Sequence, residues 1–209
     1  VIGGLDKQVG IECQVYTSEN NSWLFEFPSL PKGRFNSVCF VYRDSLYVFG
    51  GTDNSSNMNE IVRYDLSTQN SGEWTTIAKV NEANQRGGVA FVVEDKVYAG
   101  LGEKSNGIRN GFYVSSDSLT KWELIPSIPA QLGVISSGVY DEQKKSFFMI
   151  DNDGKIWEYN LTTEQWTSRS LWIRMKNYHM FMLDGSIYIL GQDIYQKNKF
   201  TVYNPIWDN

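Results

Sequence analysis

One phrase recurs along this chain about every four dozen residues, and that repetition limits the possible folds more than any single motif. The segments "VIGG" (1–4), "LYVFGG" (46–51), "VYAGLG" (97–102), "SFFMID" (146–151) and "IYILGQ" (187–192) each read as an apolar strand at the same place in a unit. Behind them come Tyr16, Tyr64, Tyr113, Tyr159 and Tyr203, at steps of 48, 49, 46 and 44 residues. Then follow Trp23, Trp74, Trp122 and Trp166, at steps of 51, 48 and 44. Two independent markers sharing one period mean one supersecondary unit used repeatedly. Each unit reads as an apolar strand, a turn, a second strand, a polar loop, a third strand ending in Tyr and a fourth opening with Trp. That pattern predicts small four-stranded antiparallel sheets and an all-β chain.

The doublet Gly50–Gly51, the phrases "RYDLS" (63–67) and "EYNLTTEQW" (158–166), and the basic residue ahead of the first strand resemble kelch repeats. The resemblance extends over nearly the whole chain. It implies a kelch-type β-propeller of four-stranded antiparallel blades, one domain over 1–209, with blades near 1–28, 34–80, 86–128, 132–170 and 174–209. Three of these are full and two partial, because the first unit lacks its first strand and Trp207 follows Tyr203 too closely. Kelch propellers usually close with six or seven blades, so the expectation is an incomplete six-bladed propeller with a missing segment, the alternative being a smaller closed ring. The glycine doublet is read as punctuation, where positive φ or close backbone approach excludes a Cβ. Repeated Tyr and Trp are read as packing between blades. The strands "VCFVY" (38–42) and "VAFVV" (89–93) are read as apolar on both faces, sandwiched by neighbours.

Several kinds of chemistry are excluded. A net charge of −5 without a basic run leaves no footprint for nucleic acid. No apolar stretch approaches the ~18 residues of a membrane span. Cys13 and Cys39 lie in separate strand-like runs and are read as buried free thiols. The stretch "DNDG" (151–154) lacks a calcium loop's closing acid, since the twelfth position from Asp151 is Thr162. It is read as a tight hairpin. His179 is the single histidine, which excludes a two-histidine metal centre within the chain. The copper site of galactose oxidase, whose propeller is also kelch-type, needs such a pair. His179 lies in "YHMFML" (178–183) and is read as a packed strand residue; no nucleophile elbow or phosphate-binding loop accompanies it. No catalytic residue, metal or cofactor is expected.

What remains is a basic register. Arg34 stands 13 residues before Tyr47, Arg86 12 before Tyr98 and Lys176 12 before Tyr188. They are read as one structural position in three blades, flanked by Asn36 and Asn177 and by polar loops 52–60, 103–110 and 193–199. The fourth unit has only "QLGVIS" (131–136) there. In kelch domains that bind acidic peptides, arginines at the start of the first strand help form the pocket. By resemblance, Arg34, Arg86, Lys176, Asn36 and Asn177 are the candidate ligand-binding residues at the mouth of a channel. The competing reading makes such arginines structural, hydrogen-bonded to backbone carbonyls. The expected function is a non-catalytic module binding a protein or a glycan; the alternative is a sugar mutarotase resembling the bacterial sialic-acid mutarotases. Phrases such as "VEDKVYAGLGE" (93–103) are similar to exported bacterial kelch proteins, which implies a periplasmic or surface location. Sequons at Asn20, Asn54 and Asn160 arise readily by chance in an Asn-rich chain.

Overall fold

The computed structural model describes residues 1–172, 175–193 and 195–203, with residues 24–26 and 170–172 described by their backbone alone. Every sheet is antiparallel and built from strands consecutive in sequence. The first contains β1 (Ile2–Leu5), β2 (Val9–Thr17) and β3 (Ser22–Phe27); the second, β4 (Val38–Tyr42), β5 (Ser45–Phe49), β6 (Glu60–Asp65) and β7 (Thr75–Lys79). In the third are β8 (Val89–Val93), β9 (Lys96–Gly100), β10 (Phe112–Ser115) and β11 (Glu123–Leu124). The fourth holds β12 (Ile135–Asp141), β13 (Ser146–Asp151), β14 (Lys155–Asn160) and β15 (Gln165–Trp172); the fifth, β16 (Lys176–Leu183), β17 (Ser186–Gln192) and β18 (Asn198–Tyr203). Among the described residues the chain is therefore all-β, with five sheets of propeller-blade topology, three of four strands and two of three. It divides into two compact units, Val1–Glu123 and Leu124–Asn209. Trp207, on which the short last unit was argued, lies outside the described residues.

Tight hairpins fix the register. Arg43 and Asp44 both adopt positive φ (45° and 56°) between β4 and β5, and Asp184 and Gly185 (48° and 73°) between β16 and β17. Two central residues with φ > 0 give the two-residue turn whose twist matches that of the strands. Strand alternation then assigns side chains to two sides of each sheet, a leading side, the one Tyr64 takes in the second sheet, and a trailing side, the one Phe40 and Tyr47 take there.

In the first unit Val48, Val62 and Tyr64 lead into a core with Cys13, Phe27 and Leu30. Phe40, Tyr47 and Phe49 trail into a second core with Val97, Ala99 and Leu119. In the second unit Val139, Phe148 and Ile150 meet Tyr178, Ile187 and Tyr203 in the same way. The tyrosine–tryptophan pairs lie on the leading side. Ring centroids are 5.3 Å apart for Tyr64–Trp74, 4.8 Å for Tyr159–Trp166 and 5.5 Å for Tyr16–Trp23, and such pairs add about 0.5–1.5 kcal/mol beyond their buried area.

The third sheet departs from this pattern. Tyr64 sits opposite Leu46, one residue past the hairpin, and Tyr159 and Tyr203 pair with Phe147 and Ile187 in the same way. In β10 that place belongs to Ser115, opposite Val97, whereas Tyr113 pairs with Ala99 two residues away. Trp122 instead meets Phe49 edge-on at 5.3 Å. The inner strands also depart from expectation. Along β4 only alternate residues are buried, and Val41 and Cys39 are exposed. Only the trailing side of this strand is covered, so Cys13 is a buried thiol and Cys39 is not.

The glycine doublets mark where one sheet accepts the chain entering the next. The Gly51 N–H donates to the Gln85 carbonyl at 2.9 Å, and the Gly4 N–H donates to the Arg34 carbonyl at 2.9 Å. At Gly50 (φ +65°) a Cβ would collide with the carbonyl oxygens of Ala83 and Gln85. The doublet excludes side chains from a seam between blades. In the fourth sheet "DNDG" forms the tight turn between β13 and β14, where the buried Asp151 carboxylate accepts from the N–H groups of Asp153 and Lys155 and from Trp157 Nε1, each at 3.0 Å.

Candidate functional site

The segment entering each first strand carries the basic residues singled out from sequence, and hairpin-pinned pairing shows which of them correspond. Phe35 bridges Thr52 and Arg86 bridges Glu103, each seven residues before the end of its first strand, as is Lys176, which pairs with Gln192 across a register shift. Phe35, Arg86 and Lys176 therefore share one place, and Arg34 sits one residue earlier, level with Gln85 and Met175. The carbonyls confirm the shift, since Arg34 and Gln85 each accept the glycine N–H of the preceding blade. Arg34 and Arg86 are not one position in two blades, which corrects the sequence alignment.

That shift of one residue reverses their environments. Arg34 is fully buried, with Nη1 donating to the Gly50 carbonyl at 3.0 Å and Nη2 to Glu60 Oε2 at 3.3 Å. Burial pushes its guanidinium below the ordinary value, with Glu60 opposing the shift. Gln85, also fully buried, accepts from the Gly102 N–H at 3.1 Å and from Asn110 Nδ2 at 2.9 Å. A cation in one blade and an amide in the next thus satisfy the same buried seam. Arg86 reaches outward, its side chain 48% exposed, with Nε and Nη2 on Glu103 Oε2 at 3.1 and 3.0 Å. Asn57 Nδ2 holds the Glu103 carbonyl at 2.8 Å, tying loop 52–60 to loop 103–110.

The asparagines have a backbone role. Asn36 (φ +50°), Gly87 (+66°) and Asn177 (+55°) occupy one place, immediately after the bridge residue. It needs the left-handed region, which asparagine tolerates better than most side chains. The Asn36 carbonyl accepts from the Gly87 N–H at 2.6 Å.

In the second unit the corresponding end of the fifth sheet forms a concavity of about 310 Å³, lined by Asn177, His179, Leu190, Gly191, Gln192 and Asn198. Asn177 Nδ2 donates to Gln192 Oε1 at 3.1 Å, and Gln192 Nε2 reaches Asn198 Oδ1 at 3.5 Å. Lys176 is exposed beside them and forms no ion pair among the described residues. His179 is exposed on β16, not packed, on the side of the strand opposite the buried Tyr178 and Met180. Sequence reasoning found Asn177 and Lys176 but missed His179, Gln192, Asn198, Glu103 and Gln85. Gln192 was legible as the polar residue ending "IYILGQ", where the first three units have glycine.

Chemically, the first unit offers a half-exposed cation paired with a carboxylate, and the second an amide-lined hollow with an apolar wall and the exposed Lys176 next in sequence to Asn177. No group of three or more His, Cys, Asp or Glu side chains placed to hold a metal exists among the described residues.

A family model for the kelch motif matches residues 33–81, which span the second sheet and its entry segment. No curated protein sequence matches the chain. Among solved structures the chain is similar to the one titled "Structure of YjhT", with a TM-score of 0.75 and 15% identity over 97% of this chain and 80% of that one. At that identity the likeness establishes the fold alone. The chain thus carries a kelch motif and has the fold of a propeller protein.

Proposed function

We propose that this protein is a non-catalytic binding module that holds a glycan or protein at the strand-entry ends of its blades. The observation that carries the reading is the hollow of the fifth sheet, where three amide side chains and a histidine surround a wall made by Leu190 and Gly191. Amides both donate and accept, matching sugar hydroxyls, and an apolar wall suits the face of a sugar ring. The exposed Lys176, next in sequence to Asn177, favours an acidic sugar or an acidic peptide. Arg86, held out by Glu103, gives the first unit a cationic contact of its own. Arg34 belongs to the scaffold in this reading, so its substitution would report on stability and not on the ligand.

Isothermal titration calorimetry with N-acetylneuraminic acid and with lactose tests the glycan reading. Binding of the acidic sugar is expected, weakened about 3–10-fold in Gln192→Ala, as for the loss of one or two hydrogen bonds. Absence of heat with both sugars contradicts it. A second reading, sugar mutarotation, is favoured by His179, the side-chain type most often used for general acid–base catalysis, inside the same hollow. Anomer exchange of freshly dissolved sialic acid, followed by NMR, should then be accelerated by the protein and not by His179→Ala. An unchanged rate with the parent protein removes this reading.

A further inference from the structure

We propose that Asn106 is a modification site, at which the chain converts its own side-chain amide to a carboxylate. Two asparagines are followed directly by glycine, Asn106–Gly107 and Asn110–Gly111, four residues apart in one segment. A glycine at that place leaves its backbone nitrogen unshielded and free to turn toward the side chain before it. By sequence the two sites are equivalent. The structure separates them. Asn110 is 1% exposed, its Nδ2 donating to the Glu82 carbonyl at 2.7 Å and to Gln85 Oε1 at 2.9 Å, while its Oδ1 accepts from Tyr113 Oη at 3.3 Å. Asn106 and Gly107 are both exposed, in the loop 103–110. Asn106 Oδ1 accepts from the Ile108 N–H at 3.1 Å, a turn that folds the side-chain amide back over its own backbone. The Gly107 N–H donates to the Lys104 carbonyl at 2.9 Å, an exposed turn contact of the class that opens locally far more often than the core.

In the reaction the Gly107 nitrogen gives its proton to solvent base and attacks Asn106 Cγ. The new C–N bond closes a cyclic imide, the Cγ–Nδ2 bond breaks, and Nδ2 leaves as ammonia after taking up a proton. Water then opens the imide at either carbonyl. The product is aspartate or, with the backbone rerouted through the side chain, isoaspartate. Either makes the chain one unit more negative than its present −5. Glu103 Oε1 lies 3.8 Å from where a Cβ on Gly107 would stand, so a second anion arises close to the carboxylate that holds Arg86. Asn110 is spared because its amide must first leave three hydrogen bonds to react.

Ageing the folded full chain under mildly alkaline conditions, followed by tryptic digestion and mass spectrometry, tests this. Cleavage after Lys104 and Arg109 places the two asparagines in separate peptides. The peptide 105–109 should gain the mass of NH2 exchanged for OH and split into aspartate and isoaspartate forms on chromatography. Its conversion should run at least about tenfold faster than that of the peptide beginning at Asn110, since a locked amide reacts only after local opening. In urea the two rates should converge, because only the Asn–Gly sequence then counts. Asn106→Gln, on an exposed side chain, should leave 105–109 unconverted with unchanged circular dichroism. Equal rates at the two sites in the folded chain, or a faster rate at Asn110, overturn the proposal. So does a folded chain in which Asn106 stays intact over a period that converts it in urea.

Discussion

Arg34 and Arg86 lie at the entries of consecutive sheets, one residue out of register, and have opposite roles. Arg34 points into the seam between blades, loses all contact with water and binds Gly50 and Glu60. Arg86 occupies the bridge position, points outward and holds a carboxylate in the open. The same side chain is scaffold in one blade and surface in the next because pairing parity decides which way it faces. A cation's place in a repeat is therefore informative only after the register has been fixed by hairpins.

The largest expected effect that would break this comparison is Arg34→Ala, which leaves the Gly50 carbonyl without its side-chain donor and Glu60 with the exposed Lys79 alone. It should cost about 3–4 kcal/mol and lower the melting temperature by roughly 6–15 °C for a chain of this size. A loss below one degree by calorimetry would place Arg34 at the surface instead. Gly50→Ala should cost about 3 kcal/mol from left-handed strain and a clash with fixed carbonyl oxygens. Gly87→Ala has nearly the same φ but open space around it, and should cost about 1 kcal/mol. Equal losses in urea unfolding would remove the seam as the cause.

In the seam behind Arg34, burial pushes the Cys13 thiol from its ordinary 9.0 up to about 11. The folded chain keeps that proton while the unfolded chain releases it, so stability is full below pH 9 and falls as pH rises toward 11. The decline from this thiol should be about 2 kcal/mol, and Cys13→Ala should reduce the alkaline loss by about that much. Smallest of all, Arg86→Ala should change stability by less than about 0.5 kcal/mol, as for an exposed ion pair. Any loss it causes should appear in ligand capture.

The repeat itself was legible in the sequence because two-residue turns and aromatic pairs recur at fixed offsets, and these are local signals. Counting back from tyrosines also contained the register, since Arg34 stands 13 residues before Tyr47 while Arg86 and Lys176 stand 12 before theirs. Shared charge concealed that difference, and a slip of one residue turns a buried group outward. Tyr113 was misplaced by two residues, which keeps the face but not the position, and Ser115 took the packed place. His179 could not be read from β16 alone. Its neighbours Phe181 and Leu183 suggest a core face, and whether that face is covered depends on another sheet, not on the strand. The amide hollow was illegible for the same reason, since Asn177, Gln192 and Asn198 come from three strands.

The most direct test of the central claim is proton exchange at the arginine guanidinium groups, followed by nitrogen-15 NMR and assigned with Arg34→Lys and Arg86→Lys. Guanidinium protons of Arg34 should exchange slowly and persist at neutral pH, while those of Arg86 vanish into fast exchange with water. Equal, fast exchange at both would contradict the account.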